Sequence, residues 1–323
     1  MSGAQQISPA KGEIISDQLK FYINGQWVEP STSDTFDVIN PATEQPIGKI
    51  AMGGVEDVNN AVAAAKAAFP AYSQTSKQQR MELLGAIVAE YEKRLDDLAT
   101  AISQEMGAPI SLCKELQAPS GLWHFATTLE LLKDYEFEED LGTSRVVKEP
   151  IGVCGLITPW NVPMNQIACK VAQALAAGCT MVLKPSQVAP FNAIIFAEIL
   201  DAADVPPGVF NLVNGYGRVL GSAMSSHPDV DMISITGSTG AGAAVAINAA
   251  PTVKRMAQEL GGKSANIILD DADFAEVIPR DVFVFCANTG QACIAPSRML
   301  VPKSRMDEAA AIAKAAAEQV KVG

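Results

Sequence analysis

The chain has 323 residues, 48% hydrophobic and 19% charged, with a formal net charge of −12. This is an ordinary globular balance, long enough for about two domains. Phosphate binding needs clustered Lys and Arg, so the acidity argues against a nucleic-acid or anionic-membrane partner. The six cysteines at 113, 154, 169, 179, 286 and 293 form no CxxC pair, which argues against a disulfide framework or a metal site and predicts reduced thiols in the cytoplasm.

The polar start MSGAQQISPAKGE lacks an apolar signal segment, and no stretch approaches the roughly 20 apolar residues of a membrane span. Up to about residue 18 the chain reads as a loose arm. FYINGQWV (21–28) then places Asn24-Gly25 between alternating halves, a hairpin signal. Alanine-rich helical patterns follow at 55–69, 78–98 and 99–132. The acidic stretch 134–140 leads into GTSRVVKEP (142–150), which reads as an exposed strand or hairpin.

After Pro150 short apolar runs alternate with helical windows. The runs are 153–158, 180–184, 209–213 and 231–236; the windows are 166–177, 191–203, 219–225 and 241–250. Apolar strands of this length alternating with helices predict an α/β fold: a Rossmann-like, doubly wound parallel sheet covered on both faces. Ligands of such sheets bind beyond the carboxyl ends of the strands. The segments there are Thr158-Pro159-Trp160-Asn161, Lys184-Pro185-Ser186, Asn214-Gly215-Tyr216-Gly217 and Thr236-Gly237-Ser238-Thr239-Gly240. TGSTGAG (236–242) joins a strand to a helix start and suits a phosphate, although its spacing is not G-x-G-x-x-G. Alone, that loop reads more simply as a tight turn, and Lys184 as a surface lysine. Cys293 follows Asn288-Thr289-Gly290-Gln291-Ala292, where a glycine would let another backbone or a ligand approach. It reads either as a nucleophile or as a small buried hydrophobe; the second reading is the simpler one for Cys113, Cys154, Cys169, Cys179 and Cys286. Glu259 stands at the end of an apparent strand, where acidic residues are commonly solvated. His124 and His227 have no evident carboxylate or serine partner, which disfavours a Ser-His-Asp or metal hydrolase.

Taken in order, PWNVP (159–163), KPS (184–186), TGST (236–239), ELGGKS (259–264) and GQAC (290–293), with INPATEQPIGKI (39–50) in front, resemble the aldehyde dehydrogenase superfamily. The resemblance runs from about residue 21 to 323. It implies NAD(P)-dependent oxidation of an aldehyde to a carboxylic acid, with NAD favoured over NADP. Cys293 would attack the carbonyl, the Asn161 side chain and the Cys293 N–H would hold the oxyanion, and Glu259 would activate water on the thioester. Lys184 would contact the adenosine ribose, and Gly237 and Ser238 the pyrophosphate. Thr236 and Leu260 would lie near the nicotinamide, Gly217 and Gly221 along the adenine side. Ile157, Thr158, Pro159, Trp160, Ser186, Gln187 and Ala241 would complete the cofactor site. The implied domains are a cofactor-binding domain (19–133 and 149–259), an oligomerisation hairpin (134–148) and the first part of a catalytic domain (260–323), in a homodimer or homotetramer.

Departures from the pattern refine these expectations. Gln187 stands where many NAD-preferring members carry a ribose-clamping glutamate, which removes a repulsion against a 2′-phosphate. Val162 and Cys169 replace bulkier aromatic residues of the substrate funnel and predict a wider one. The resemblance ends before the family's Glu-x-Phe-Gly-Pro motif. The apolar faces of 267–269 and 282–286 would then lose their cover, and the chain alone is expected to be poorly stable or inactive. An acylating, coenzyme-A-dependent member would lack Glu259; a non-catalytic nucleotide-binding relative is the other alternative.

Overall fold

A computed structural model describes residues 15–321, so the start of the expected N-terminal arm lies outside the described residues. The described residues divide into two compact units, the first ending at Glu259 and the second beginning at Leu260. In the first, β1 (Phe21–Ile23) and β2 (Gln26–Val28) form the expected hairpin, turning through left-handed Asn24 and Gly25. The pair β3 (Thr35–Asn40) and β4 (Gln45–Ala51) follows, then α1 (Val55–Tyr72).

Two long helical windows prove to be broken. Residues 78–98 divide into α2 (Lys77–Glu92) and α3 (Leu95–Met106). The next window is interrupted at Gly107 (φ 84°), whose left-handed backbone ends α3, and at Pro109. It resumes as one turn, α4 (Ile110–Leu112), a π-helical turn (Cys113–Gln117) and α5 (Ala118–Asp134). Helical periodicity survived both interruptions because the buried positions continue on each side. An exposed hairpin follows: β5 (Glu138–Asp140) and β6 (Arg145–Val147).

The alternating part matches the sequence closely. It comprises β7 (Val153–Ile157), α6 (Pro163–Ala177), β8 (Thr180–Lys184), α7 (Phe191–Ala202), β9 (Phe210–Leu212), α8 (Ser222–Ser226), β10 (Met232–Gly237), α9 (Thr239–Ala249) and β11 (Arg255–Leu260). The expected helix at 219–225 opens as a second π turn, Gly217–Gly221. The seven-stranded sheet has the order β11-β10-β7-β8-β9-β1-β2. Its β10-β7, β7-β8 and β8-β9 pairs are parallel, with β1 antiparallel to β9. The chain runs β7, β8, β9 outward in one direction and then returns to lay β10 on the other side of β7. That reversal creates a switch point at the carboxyl ends of β7 and β10.

Apolar layers cover both sheet faces. One contains Leu84, Ile102, Phe125, Val171 and Phe196; the other contains Val58, Val62, Leu220 and Val245. Glu105 ties α3 to α7 by accepting from the backbone N–H groups of Phe191 (2.6 Å) and Asn192 (3.0 Å). Burial pushes its carboxyl up to about 7, against those hydrogen bonds.

The second unit places β12 (Ala265–Ile267) parallel to β13 (Arg298–Leu300), with α10 (Phe274–Cys286) and α11 (Met306–Ala317). Its small core is Ile268, Phe274, Ile278 and Ala309. The Arg305 guanidinium stacks 3.6 Å from the Phe274 ring centre and pairs with Glu308. Ile267 and Leu269 are 65% and 63% exposed, and Phe283, Val284 and Phe285 are exposed as well.

Candidate active site

The carboxyl edge of the parallel strands gathers polar residues from separate loops. Register aligns Ile157 with both Lys184 and Ile235, so the next residues, Thr158 and Thr236, stand in one row. Their hydroxyls are buried without a hydrogen-bond partner. The same holds for both amide atoms of Asn214, two residues beyond β9, and for Asn192 Oδ1 at the start of α7. Thr158, Asn214 and Thr236 follow or end three of the parallel strands, while Asn192 lies in the first turn of α7, bonded to Glu105. An unsatisfied buried polar group costs about 1–3 kcal/mol, so such a cluster marks a place where a polar ligand can complete the hydrogen bonding.

Lys184 lies in the same edge and is buried at 3% exposure, which overturns the surface-lysine reading. Its ammonium donates to the Pro185 carbonyl at 2.6 Å, and burial lowers its pKa to about 8. Ser186 is buried and its hydroxyl accepts from the Val188 N–H, while Gln187 is half-buried. Ser238 caps α9, its Oγ accepting from Ala241 N at 3.2 Å, so TGSTGAG is a strand-to-helix junction rather than only a tight turn. Gly237 is half-buried and Ala241 exposed. Gly221 is buried in the second π turn, and the open space around exposed Gly217 would admit a side chain. Together these residues offer hydroxyls, an amide, an ammonium and a helix start on one edge. That donor set fits a nucleotide carrying ribose hydroxyls and phosphates.

Asn161 belongs to the loop from β7 to α6, with Ile157 buried, Pro159 and Asn161 half-buried, and Trp160 37% exposed. Gln117 Nε2 donates to the Asn161 backbone carbonyl at 3.2 Å. Along α6, Asn165 Nδ2 lies 3.0 Å from His124 Nε2, and Lys170 Nζ donates to Ser234 Oγ at 3.0 Å. Burial raises the Cys169 thiol and lowers the Lys170 ammonium, and the Glu259 carboxylate acts electrostatically on both. Glu259 at the end of β11 is thus brought to the α6 side, with its own side chain exposed. Half-buried Leu260 opens the second unit.

Cys293 lies in the second unit, between a short 3-10 turn (Ala287–Gly290) and β13. It is half-buried, so it is not a fully buried apolar residue. The approach to it is unusual: Asn288, Thr289 and Gly290 are consecutive left-handed residues, with φ of 52°, 59° and 72°. Glycine at 290 answers to that backbone rather than to crowding, since an added Cβ would meet nothing nearer than 3.6 Å. The close approach expected there occurs instead at Gly262, where a Cβ would stand 3.2 Å from the Cys293 carbonyl oxygen.

The other cysteines divide. Cys113, Cys154 and Cys179 are buried, but Cys169 and Cys286 are only half-buried. Cys154 and Cys179 are hydrogen-bonded across β7 and β8, which holds the Cys179 thiol down and drives Cys154 up. Linear spacing could not reveal that contact, because strand pairing creates it. Asn192 and Gln117 were also missed. Gln117 carried a faint signal: it is a long polar side chain in a buried stretch with Cys113, Ser120 and Phe125.

The aldehyde dehydrogenase family pattern matches residues 27–323. A 3-succinoylsemialdehyde-pyridine dehydrogenase from a Pseudomonas species is 58% identical over 308 residues, covering 95% of this chain and 65% of that protein. Among solved structures, an aldehyde dehydrogenase C mutant from Pseudomonas syringae, complexed with NAD+ and octanal, is 51% identical with a TM-score of 0.93. That match covers 94% of this chain and 63% of the other. Betaine aldehyde dehydrogenase from Staphylococcus aureus with NAD+ is 33% identical, with a TM-score of 0.91 over 95% of this chain and 62% of that one. The chain therefore spans about two thirds of the length of these relatives. By pattern, sequence identity and fold, the chain belongs to the aldehyde dehydrogenase family.

Proposed function

We propose that this chain is the cofactor-binding and nucleophile-bearing portion of an enzyme that oxidises an aldehyde to a carboxylic acid with NAD(P). The observation that carries the reading is the row of unsatisfied buried groups at Thr158, Asn214 and Thr236 beside the buried Lys184 ammonium. Bound NAD(P) supplies a two-electron acceptor. Gly237, Ser238 and the first turn of α9 would hold its pyrophosphate, Thr236 and Leu260 would lie near its nicotinamide, Lys184 would hold its adenosine ribose, and Gly217 and Gly221 its adenine side. Cys293 Sγ adds to the aldehyde carbon as its thiol proton passes to Glu259 and on to solvent, and the Asn161 carboxamide with the Cys293 N–H stabilises the oxyanion. Oxidation leaves a thioester on Cys293. Glu259 takes a proton from water as it attacks the thioester and returns it to the departing sulfur, which releases the acid and restores the thiol.

Two residues bear on cofactor and substrate. Gln187 carries no charge against a 2′-phosphate, so NADP is accepted beside NAD. Val162 and Cys169 leave room for medium-chain or bulky aldehydes; octanal in the Pseudomonas syringae structure and the pyridine substrate in the 58%-identical relative's name agree with that. The exposed β5–β6 hairpin serves assembly into a homodimer or homotetramer, and the protein works in the cytoplasm. Among the described residues no helix is long and apolar enough to cross a membrane.

Since this chain by itself is expected to be poorly active, the test uses the whole enzyme of which it is the proposed portion; it follows reduced-cofactor absorbance with NAD or NADP and a panel of short, medium and aromatic aldehydes, with and without Cys293→Ser. The expected outcome is turnover favouring octanal over acetaldehyde and abolished in the variant. Folded protein that binds neither cofactor would overturn the cofactor assignment. Turnover that survives Cys293→Ser would overturn the nucleophile.

A further inference from the structure

We propose that Gln117 is a positioning residue for Asn161, acting through the backbone of the loop that carries it; the inference rests on the oxyanion role given to Asn161. The loop from β7 to α6 begins where Thr158 N donates to the Lys184 carbonyl and ends where Gln166 N donates to the Val162 carbonyl, the first bond of α6. Between these points stand Pro159, which has no N–H, and then Trp160 and Asn161. Val162 has φ −136° and ψ 65°, outside the helical region, and Pro163 starts α6 without an N–H. With prolines at 159 and 163 the loop has few backbone donors of its own, so a bond from another element helps fix its path. Gln117 Nε2, 44 positions earlier in sequence, supplies one by donating to the Asn161 carbonyl at 3.2 Å.

The support behind that bond is built into a π turn. Ala118 N bonds to the Cys113 carbonyl, closing the wider ring over Cys113–Gln117. One extra residue in the turn rotates everything before it by about 100° relative to a continuous α-helix, and π turns recur at functional sites for such reasons. Gln117 is 1% exposed, its carbonyl accepts from Ser120 Oγ at 2.8 Å, and its Nε2 also lies 3.8 Å from Met106 Sδ. The side chain therefore works from a fixed base. A carboxamide also suits the task chemically. It donates to a carbonyl without bringing a charge that would compete for the oxyanion.

Gln117→Met keeps length and removes the donor; Met106→Leu removes the sulfur contact and keeps the donor. Two readouts are made on each. Amide hydrogen exchange of the peptide containing residues 160–162 is expected to quicken about 3- to 10-fold in Gln117→Met, the effect of losing one hydrogen bond, with α6 and α7 unchanged. In Met106→Leu it stays as in the unaltered chain. For aldehyde turnover, kcat is expected to fall about 10-fold in Gln117→Met while KM for the cofactor stays within about twofold, because positioning acts on the reacting centre. Gln117→Glu should restore a donor only when protonated, giving kcat that falls further as pH rises from 5 to 8. Unchanged exchange in the loop of Gln117→Met overturns the proposal whatever the turnover. Quickened exchange in a chain that shows no turnover even without substitution supports the structural link and counts against the oxidation reading instead.

Discussion

The two edges of the central sheet are built from the same strands and treat polar groups in opposite ways. At the amino edge, partners are in place. The Asp231 carboxylate accepts from Val153 N at 2.8 Å, Thr180 Oγ1 donates to the Ala65 carbonyl at 2.9 Å, and the Cys154 and Cys179 thiols are hydrogen-bonded. At the carboxyl edge, Thr158, Thr236 and Asn214 are equally buried and lack partners. Even within one segment the contrast holds. Asn211 in β9 donates to the Met181 and Gly208 carbonyls and accepts from Asn24 N, whereas Asn214, three residues on, leaves both amide atoms open. Buried groups without partners cost stability, so the carboxyl edge holds its residues at the expense of the fold while the amino edge serves the fold alone.

The sharpest break of this comparison comes from the amino edge. Gly152 has φ 127°, and a Cβ there would fall 2.0 Å from Asp231 Oδ2, the acceptor for Val153 N. Gly152→Ala is expected to cost on the order of 3 kcal/mol or more, from backbone strain together with the displaced carboxylate. Urea unfolding measures the loss; cofactor titration of the protein that remains folded should show unchanged affinity. A cost below about 1 kcal/mol would mean that this edge yields readily and is not the rigid side of the sheet.

A smaller effect of opposite sign is expected at the carboxyl edge. Burial depresses Lys184 to about 8, below its ordinary 10.5. A depressed folded-state pKa means that stability is full above 10.5 and is lost as pH falls through about 8. At pH 7 the fold therefore carries the cost of a buried charge. Lys184→Met should stabilise the chain at pH 7 by on the order of 1–3 kcal/mol and weaken cofactor binding about 10-fold or more. The stabilisation should fade when unfolding is repeated above pH 10. A variant destabilised at pH 7 would show that the ammonium serves the fold after all.

Much of this arrangement was legible in the sequence. The apolar runs at 153–158 and 180–184 correspond to β7 and β8 because buried parallel strands leave no alternation to misread, and the motifs placed Thr158, Lys184 and Thr236 at strand ends. Breaks were harder. Lys93-Arg94 between α2 and α3 carries no proline or glycine, and the π turn at Cys113–Gln117 keeps helical periodicity on both sides. Contacts made by pairing across the sheet, such as Cys154 with Cys179, depend on register and have no linear signature. Nor could a count of residue types separate Thr158 from Thr180, since both are threonines beside apolar strands. What distinguishes them is whether a carbonyl faces the hydroxyl.

That difference gives the smallest effect and the closest test of the two edges. Thr→Val exchanges a hydroxyl for a methyl at nearly constant volume, so the sign of its effect reports whether the hydroxyl had a partner. Thr180→Val should cost about 1 kcal/mol, because it leaves the Ala65 carbonyl without its donor. Thr158→Val and Thr236→Val should each stabilise the chain by up to about 1 kcal/mol, since they remove groups with no bond to lose. Denaturation midpoints of the three variants measure these signs, and cofactor titration measures the converse: the two carboxyl-edge variants bind less tightly and Thr180→Val does not. Thr158 and Thr236 stand side by side on neighbouring strands. Their effects on one shared ligand should therefore be coupled in the double variant. If all three substitutions cost the same and none alters binding, the open hydroxyls are an ordinary feature of packing, and the carboxyl edge loses its claim to be the binding side.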